Sequence, residues 1–150
     1  FKYFFEDNLV FFSNYESHKA QNFIDNDKVC VNFWWPNIEV QVRIEGIISK
    51  CEEKFSDEHF QGRKPAKNVA ALVSEQSKKI ESYDLLKQKY ETMKERIENG
   101  EDVNSRPKNW GGYQIKVHFF EFWEANDDRL NYRECYEKNN ESWSKYFLQS

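Results

Sequence analysis

The chain has 150 residues, a mass of 18.2 kDa and a formal net charge of -4, from 22 Lys+Arg against 26 Asp+Glu. That length suits one domain, large enough to bury a core without disulfides. The acidic balance lacks the basic excess of a general nucleic-acid binder. Aromatics reach 17% (13 Phe, 8 Tyr, 5 Trp), which excludes a disordered chain, and 5 Gly with 3 Pro exclude collagen-like and linker compositions.

No apolar run approaches the ~20 residues of a membrane span. The chain opens on Phe1 rather than Met, with residues that already read as strand, so a longer protein with residues upstream is expected. Cys30, Cys51 and Cys135 are far apart and odd in number, so no disulfide framework is expected and a reducing, cytoplasmic setting follows. No Cys/His pair has metal-ligand spacing, so no metal site is expected. Cys30, between Val29 and Val31, reads as a small apolar core residue.

In chain order, residues 9–13 read as a strand ending in a polar turn. Ser17 then caps a short helix over Lys19 to Ile24, its hydroxyl taking an orphan backbone N–H. Asp25-Asn26-Asp27 stops that helix, and Val29 to Trp35 is a second apolar run closed by the turn signal Pro36-Asn37. From Ile38 to Ile48 the pattern alternates. Ile38, Val40, Val42, Ile44 and Ile48 fall on one face with Gly46 between them, and Glu39, Gln41, Arg43 and Glu45 fall on the other. Gln41 is the candidate ligand-facing side chain of that polar face, which by itself reads equally as a solvated surface.

Ser56 is expected to cap a short helix through Phe60, and Pro65 suits the first turn of the next, Ala66 to Ser74. Ser82 caps a longer helix with one apolar stripe, Leu86, Tyr90, Met93 and Ile97, and Gly100 stops it. Tyr113, Ile115, Val117 and Phe119 alternate as a strand that runs into Phe120-Glu121-Phe122-Trp123. Leu130 to Tyr136 and Ser142 to Leu148 read as two final strands around Asn139-Asn140. Strands, helices, then strands, without regular βαβ alternation, favour an antiparallel barrel decorated by helices.

Three clusters carry possible chemistry. Ser13-Asn14-Tyr15-Glu16-Ser17-His18-Lys19 brings hydroxyls, a cation and a helix start to one strand-to-helix turn, which suits a phosphate as well as ordinary capping. His59, Arg63, Lys64 and Lys67, with Gln76-Ser77 further on, form a basic group that suits a second anion or a solvated surface. Trp110-Gly111-Gly112-Tyr113, Glu121-Phe122-Trp123 and Arg129-Leu130-Asn131-Tyr132-Arg133 combine aromatics with two arginines. Such a set suits a planar conjugated ligand carrying negative charge; core packing would also account for Trp110 and Phe122, though poorly for Arg129 and Arg133.

These clusters, in this order, resemble the pyridoxamine 5′-phosphate oxidase family. Its pattern is W-G-G/Y, E-F-W and R-L-H-D-R in the third cluster. Y-T-N with S-R-K matches Phe12-Ser13-Asn14 with Ser17-His18-Lys19, and S-x-Q-S matches Ser74-Glu75-Gln76-Ser77. Gln41-Val42 with Gly46 is a further match, and the resemblance covers nearly the whole chain. It implies a mainly β, antiparallel FMN-binding split β-barrel with helices. It also implies a homodimer with FMN at the subunit interface, and oxidation of pyridoxamine or pyridoxine 5′-phosphate to pyridoxal 5′-phosphate with O₂ reduced to H₂O₂.

Carried over residue by residue, the resemblance assigns FMN to Phe12, Ser13, His18, Lys19, Gln41, Gln76, Ser77, Trp123 and Arg133. It assigns the substrate to Lys2, His59, Arg63, Lys67, Arg129, Leu130 and Asn131, with Arg129 and Asn131 nearest the reacting carbon. His18 stands where the family has arginine, His59 where it has tyrosine, Lys67 where it has serine, and Asn131 where it has the histidine of R-L-H. The family's terminal R-L-x-P is Phe147-Leu148-Gln149-Ser150 here. The asparagine cannot titrate, so the alternative reading is a member that binds flavin or pyridoxal phosphate, or serves in assembly, without turnover.

Overall fold

The computed structural model describes residues 1–150, apart from the side chain of Phe5. The chain divides into two compact units. The first comprises Phe1–Val10, Asn26–Ser49 and Gln114–Ser150; the second comprises Phe11–Asp25 and Lys50–Tyr113.

The strands are β1 (Tyr3–Phe5), β2 (Asn8–Asn14), β3 (Lys28–Trp35), β4 (Val40–Lys50), β5 (Trp110–Glu124), β6 (Tyr132–Asn139) and β7 (Ser142–Phe147). They form one sheet in the order β1-β2-β5-β4-β3, with β6 pairing both β5 and β7. The β3–β4, β5–β6 and β6–β7 pairs are antiparallel.

In the first unit, alternation along the strands buries Val42, Ile44 and Ile48 of β4 and Ile115, Val117 and Phe119 of β5, with Val10 and Cys135. Gly46 lies on the same buried face as Val42 and Ile44. A Cβ there would stand 2.5 Å from Ile115 Cγ2 and 2.6 Å from the Lys116 carbonyl, so the position takes no side chain.

Ile38 departs from the expected face. It ends a 3₁₀ turn over Pro36–Ile38 and is 61% exposed, because the proline starts a turn before β4 can begin. Cys30 is exposed, not in the core. The alternation of β3 turns Val29, Val31 and Phe33 inward, and Cys30 takes the opposite face. Leu130 is also outside any strand and exposed, since β6 begins only at Tyr132.

The second unit holds the helices α1 (His18–Asp25), α2 (Glu53–Gln61), α3 (Pro65–Val73) and α4 (Tyr83–Glu98). Ala20, Phe60, Val69, Val103, Trp110 and Tyr113 are its buried apolar residues. Pro65 opens α3, and the Ser82 hydroxyl caps α4 by accepting from Leu85 N at 3.1 Å. Gly100 follows the end of α4 with φ +101°, the conformation glycine adopts without strain.

The other two expected caps differ. Ser56 lies inside α2, and its hydroxyl accepts from Gly112 N at 3.0 Å. The Ser17 hydroxyl pairs with that of Ser13, while the Ser17 carbonyl accepts from Ala20 N and Gln21 N. Both hydroxyls serve long-range or cross-turn contacts that a local pattern does not encode. Among the described residues, no helix is long and apolar enough to cross a membrane, and no group of three metal-ligating side chains converges.

Candidate functional site

The second unit gathers two sets of expected site residues. The first set sits where β2 hands over to α1. Asn14 Oδ1 accepts from Glu16 N at 2.7 Å and tightens that turn. Lys19, in the first turn of α1, donates from Nζ to Ser13 Oγ at 3.2 Å. Gln76, beyond α3, reaches the same point: its Oε1 accepts from Asn14 N at 3.2 Å and from Ser13 Oγ at 3.4 Å.

Ser13 is buried, so its one proton and two lone pairs are shared among Ser17, Lys19 and Gln76. With its oxygen so engaged, the Gln76 amide is left with its N–H₂ to donate. Ser77 follows with φ +74°. His18 is exposed at the start of α1. The result is a compact group of cation, hydroxyls and amide donors, the composition that holds an anion.

The second set is a stack. The Phe12 ring lies 3.6 Å from His59 and 5.3 Å from Trp110, at small interplanar angles. The Arg63 guanidinium lies 4.4 Å from the Trp110 ring centroid. Arg63 occupies the short link between α2 and α3, fixed by Arg63 N donating to Phe60 O at 3.2 Å and by Pro65 starting α3. The buried Asn68 braces the same link, donating from Nδ2 to Phe60 O at 3.0 Å.

Arg63 Nη2 donates to the Lys67 carbonyl at 2.8 Å, while Nη1 is buried without a partner among the described residues. Burial pulls the Arg63 pKa below its ordinary value, the mark of a cation short of counter-charge. The Lys67 side chain is exposed. Trp110, grouped in sequence with Trp123 and the arginines, belongs to this stack in the second unit and is 8% exposed, so it packs as core.

The first unit holds the remaining residues. Trp123 and Arg133 face each other across the β5–β6 register. Gln41 is opposite Trp34 across β3–β4, and the Trp34 ring lies 6.3 Å from that of Trp123. Arg133 Nε donates to Glu121 Oε1 at 2.6 Å, and its Nη1 donates to the Gln149 carbonyl at 3.0 Å. Arg43 Nε donates to the other Glu121 oxygen at 2.9 Å. Burial alone would raise the Glu121 carboxyl; the two arginine hydrogen bonds outweigh it and hold it below the usual range.

Arg129 sits in the turn before β6 with φ +65°, an uncommon conformation for a residue with a Cβ. The turn is closed by Arg129 N donating to Asn126 O at 3.0 Å and by Asn126 N donating to Asn131 Oδ1 at 3.1 Å. Asn131 is therefore a turn-closing side chain, and Ser150 Oγ donates to its carbonyl at 2.9 Å. Leu130 and Lys2 are exposed. Phe122 points away from Glu121 and Trp123 and packs edge-on against Tyr136 at 6.0 Å.

Sequence reasoning missed the roles of Glu121, Arg43 and Trp34. A signal for Glu121 was present: it continues the buried series Tyr113, Ile115, Val117, Phe119, and a carboxylate on a core-facing register position needs a cation beside it.

The family model described as pyridoxamine 5′-phosphate oxidase matches residues 1–96, and that described as pyridoxine 5′-phosphate oxidase C-terminal dimerisation region matches residues 110–150. A pyridoxine/pyridoxamine 5′-phosphate oxidase of Colwellia psychrerythraea is 36% identical over 143 residues, which cover 95% of this chain and 65% of that protein. One from Aliarcobacter butzleri is 42% identical over 144 residues, covering 95% of this chain and 67% of that protein. The chain thus spans about two thirds of the length of these relatives.

Among solved structures, PhzG from Burkholderia lata 383, in complex with tetrahydrophenazine-1-carboxylic acid, matches with a TM-score of 0.80 and 26% identity. The match covers 94% of this chain and 68% of PhzG. A pyridoxamine 5′-phosphate oxidase-related, FMN binding protein from Nostoc punctiforme matches with a TM-score of 0.74 and 16% identity, over 99% of this chain and 76% of that one, and shows the shared split β-barrel fold. With its family model spanning most of the chain and relatives above one-third identity, this chain belongs to the pyridoxamine 5′-phosphate oxidase family.

Proposed function

We propose that this chain is an FMN-dependent oxidase of pyridoxine or pyridoxamine 5′-phosphate that works as a homodimer. The observation that carries the reading is Arg63, whose buried Nη1 has no partner among the described residues while its ring-stacked guanidinium is fixed in place. A buried, unpaired guanidinium N–H is costly, and a phosphate oxygen is the acceptor that removes the cost. The Lys19, Ser13 and Gln76 group is the corresponding candidate for the FMN phosphate, with His18 and Ser77 beside it. The residues fit that cofactor in donor chemistry: one cation, hydroxyls and an amide N–H₂. The family model of the C-terminal dimerisation region supports the dimer.

When bound, FMN supplies the two-electron acceptor for the substrate's C4′ carbon and passes the electrons to O₂, giving H₂O₂. The protein binds, orients and shields. Arg63, with His59 and Lys67, is assigned to the substrate phosphate. Arg129, held at positive φ by its turn, is assigned to the substrate ring. Gln41, Trp123 and Arg133 are assigned to the flavin. The test is the absorption spectrum of purified full-length protein with added FMN. Quenched flavin fluorescence, and bleaching of the flavin band by pyridoxine 5′-phosphate without oxygen, are expected. Unquenched flavin overturns the proposal at its first step.

A second reading, a flavin- or pyridoxal-phosphate-binding member without turnover, is favoured by Asn131, whose amide oxygen is used on Asn126 N and which cannot move a proton. Asn131→His separates the two. A large gain in rate supports the impaired site; an unchanged rate, with peroxide formed by the native protein, supports the oxidase.

A further inference from the structure

Glu121 is an acidic side chain on the buried register of β5, and only 3% of it is exposed. Its two oxygens are divided between two arginines. Oε1 takes Arg133 Nε at 2.6 Å and Oε2 takes Arg43 Nε at 2.9 Å. Neither arginine is free to swing. Arg43 also pairs with Glu45 and lies 5.0 Å from the Phe119 ring centroid, and Arg133 is tied by Nη1 to the Gln149 carbonyl. With Nε and Nη1 occupied, Arg133 keeps Nη2 as its unassigned donor group, beside Trp123 across the strand register. The two arginines and two glutamates sum to zero charge.

We propose that Glu121 is a positioning residue: it fixes the rotamer of Arg133 so that the remaining donor group, Nη2, is presented to the flavin. This rests on the reading that the chain binds FMN through Arg133. The alternative is that Glu121 only balances charge in the sheet. The two roles differ in sign. Removing a neighbouring carboxylate leaves one net positive charge, which by electrostatics alone strengthens binding of an anionic flavin. Loss of positioning weakens it, because Arg133 must then be ordered at the moment of binding.

The test is a double-mutant cycle on FMN affinity, read as the dissociation constant from quenching of flavin fluorescence, with near-ultraviolet circular dichroism to confirm folding. Wild type, Glu121→Gln, Arg133→Met and the double variant are compared. Glu121→Gln is expected to raise the Kd about tenfold, the scale of one misplaced charge-assisted hydrogen bond. In the Arg133→Met background the same change is expected to shift Kd less than twofold. If Glu121→Gln does not fold, Glu121→Asp, which keeps the charge and withdraws the carboxylate by one methylene, goes through the same cycle.

An unchanged or lower Kd for Glu121→Gln, or an equal loss with and without Arg133, overturns the proposal. Wild type that does not quench flavin overturns the FMN reading itself. Wild type that binds while Arg133→Met binds equally well removes Arg133, and Glu121 with it, from the flavin site.

Discussion

Arg63→Met separates binding from stability at one residue. The methionine keeps an unbranched apolar stem against Trp110 and removes the guanidinium, which stacks 4.4 Å from that ring. On the stability side, the variant loses the 2.8 Å hydrogen bond to the Lys67 carbonyl, worth about 0.5–1.5 kcal/mol. It also loses an unpaired buried N–H group, whose desolvation costs about 1–3 kcal/mol. Loss of the cation–π contact with Trp110, about 0.5–2 kcal/mol, adds to the first of these, so the opposing terms nearly cancel and the melting temperature should move little. On the binding side, a charge-assisted hydrogen bond to phosphate disappears, worth about 1.5–3 kcal/mol, roughly 10- to 150-fold in affinity.

The assay is peroxide formation against concentration for pyridoxine 5′-phosphate and for unphosphorylated pyridoxine, with thermal melting alongside. KM for the phosphorylated substrate should rise by one to two orders of magnitude, while the unphosphorylated substrate is little affected. Equal effects on both substrates, or a fall of melting temperature with unchanged KM, would show that Arg63 is a structural cation and refute the reasoning.

Gly46→Ala should lower the melting temperature by several degrees. Its Cβ would meet Ile115 Cγ2 and the Lys116 backbone within 2.6 Å, and overpacking of that kind costs about 1–3 kcal/mol. The carboxyl of Glu134 is pulled from an ordinary 4.5 down to about 2 by hydrogen bonds from Tyr132, Tyr136 and Lys145. Because the folded pKa is depressed, this stabilisation is complete above pH 4.5 and is lost as pH falls toward 2. Chemical denaturation at stepped pH should show a shallower acid limb for Glu134→Gln. Iodoacetamide at pH 8, followed by mass mapping of the native protein, should label exposed Cys30 first. Cys51, whose thiol burial pushes up to about 11, and buried Cys135 should react only after unfolding.

Much of the fold was legible locally. The alternation from Val40 to Ile48 and from Tyr113 to Phe119, the Ser82 cap, the proline at the start of α3 and the glycine after α4 are short-range signals, each set by backbone sterics or by period. The misreadings came from a distant partner in one case and from strand phase or strand start in others. Ser56 looked like a cap and instead serves Gly112, 56 residues away. Cys30 looked like core because its neighbours are valines, and the phase of β3 turned it outward.

The candidate site divides the same way. Sequence by itself determined the residue types: cations, hydroxyls and amides at the β2–α1 turn, an arginine ahead of a helix-starting proline, and a family motif in the third cluster. Only the tertiary structure brought Gln76 onto Ser13 across 63 positions, left one Arg63 nitrogen unpaired among the described residues, and placed Glu121 between Arg43 and Arg133. The reason is physical. Local patterns report conformational preference and burial phase, whereas hydrogen-bond satisfaction and charge pairing depend on which side chains the sheet and helices bring within about 3 Å of one another.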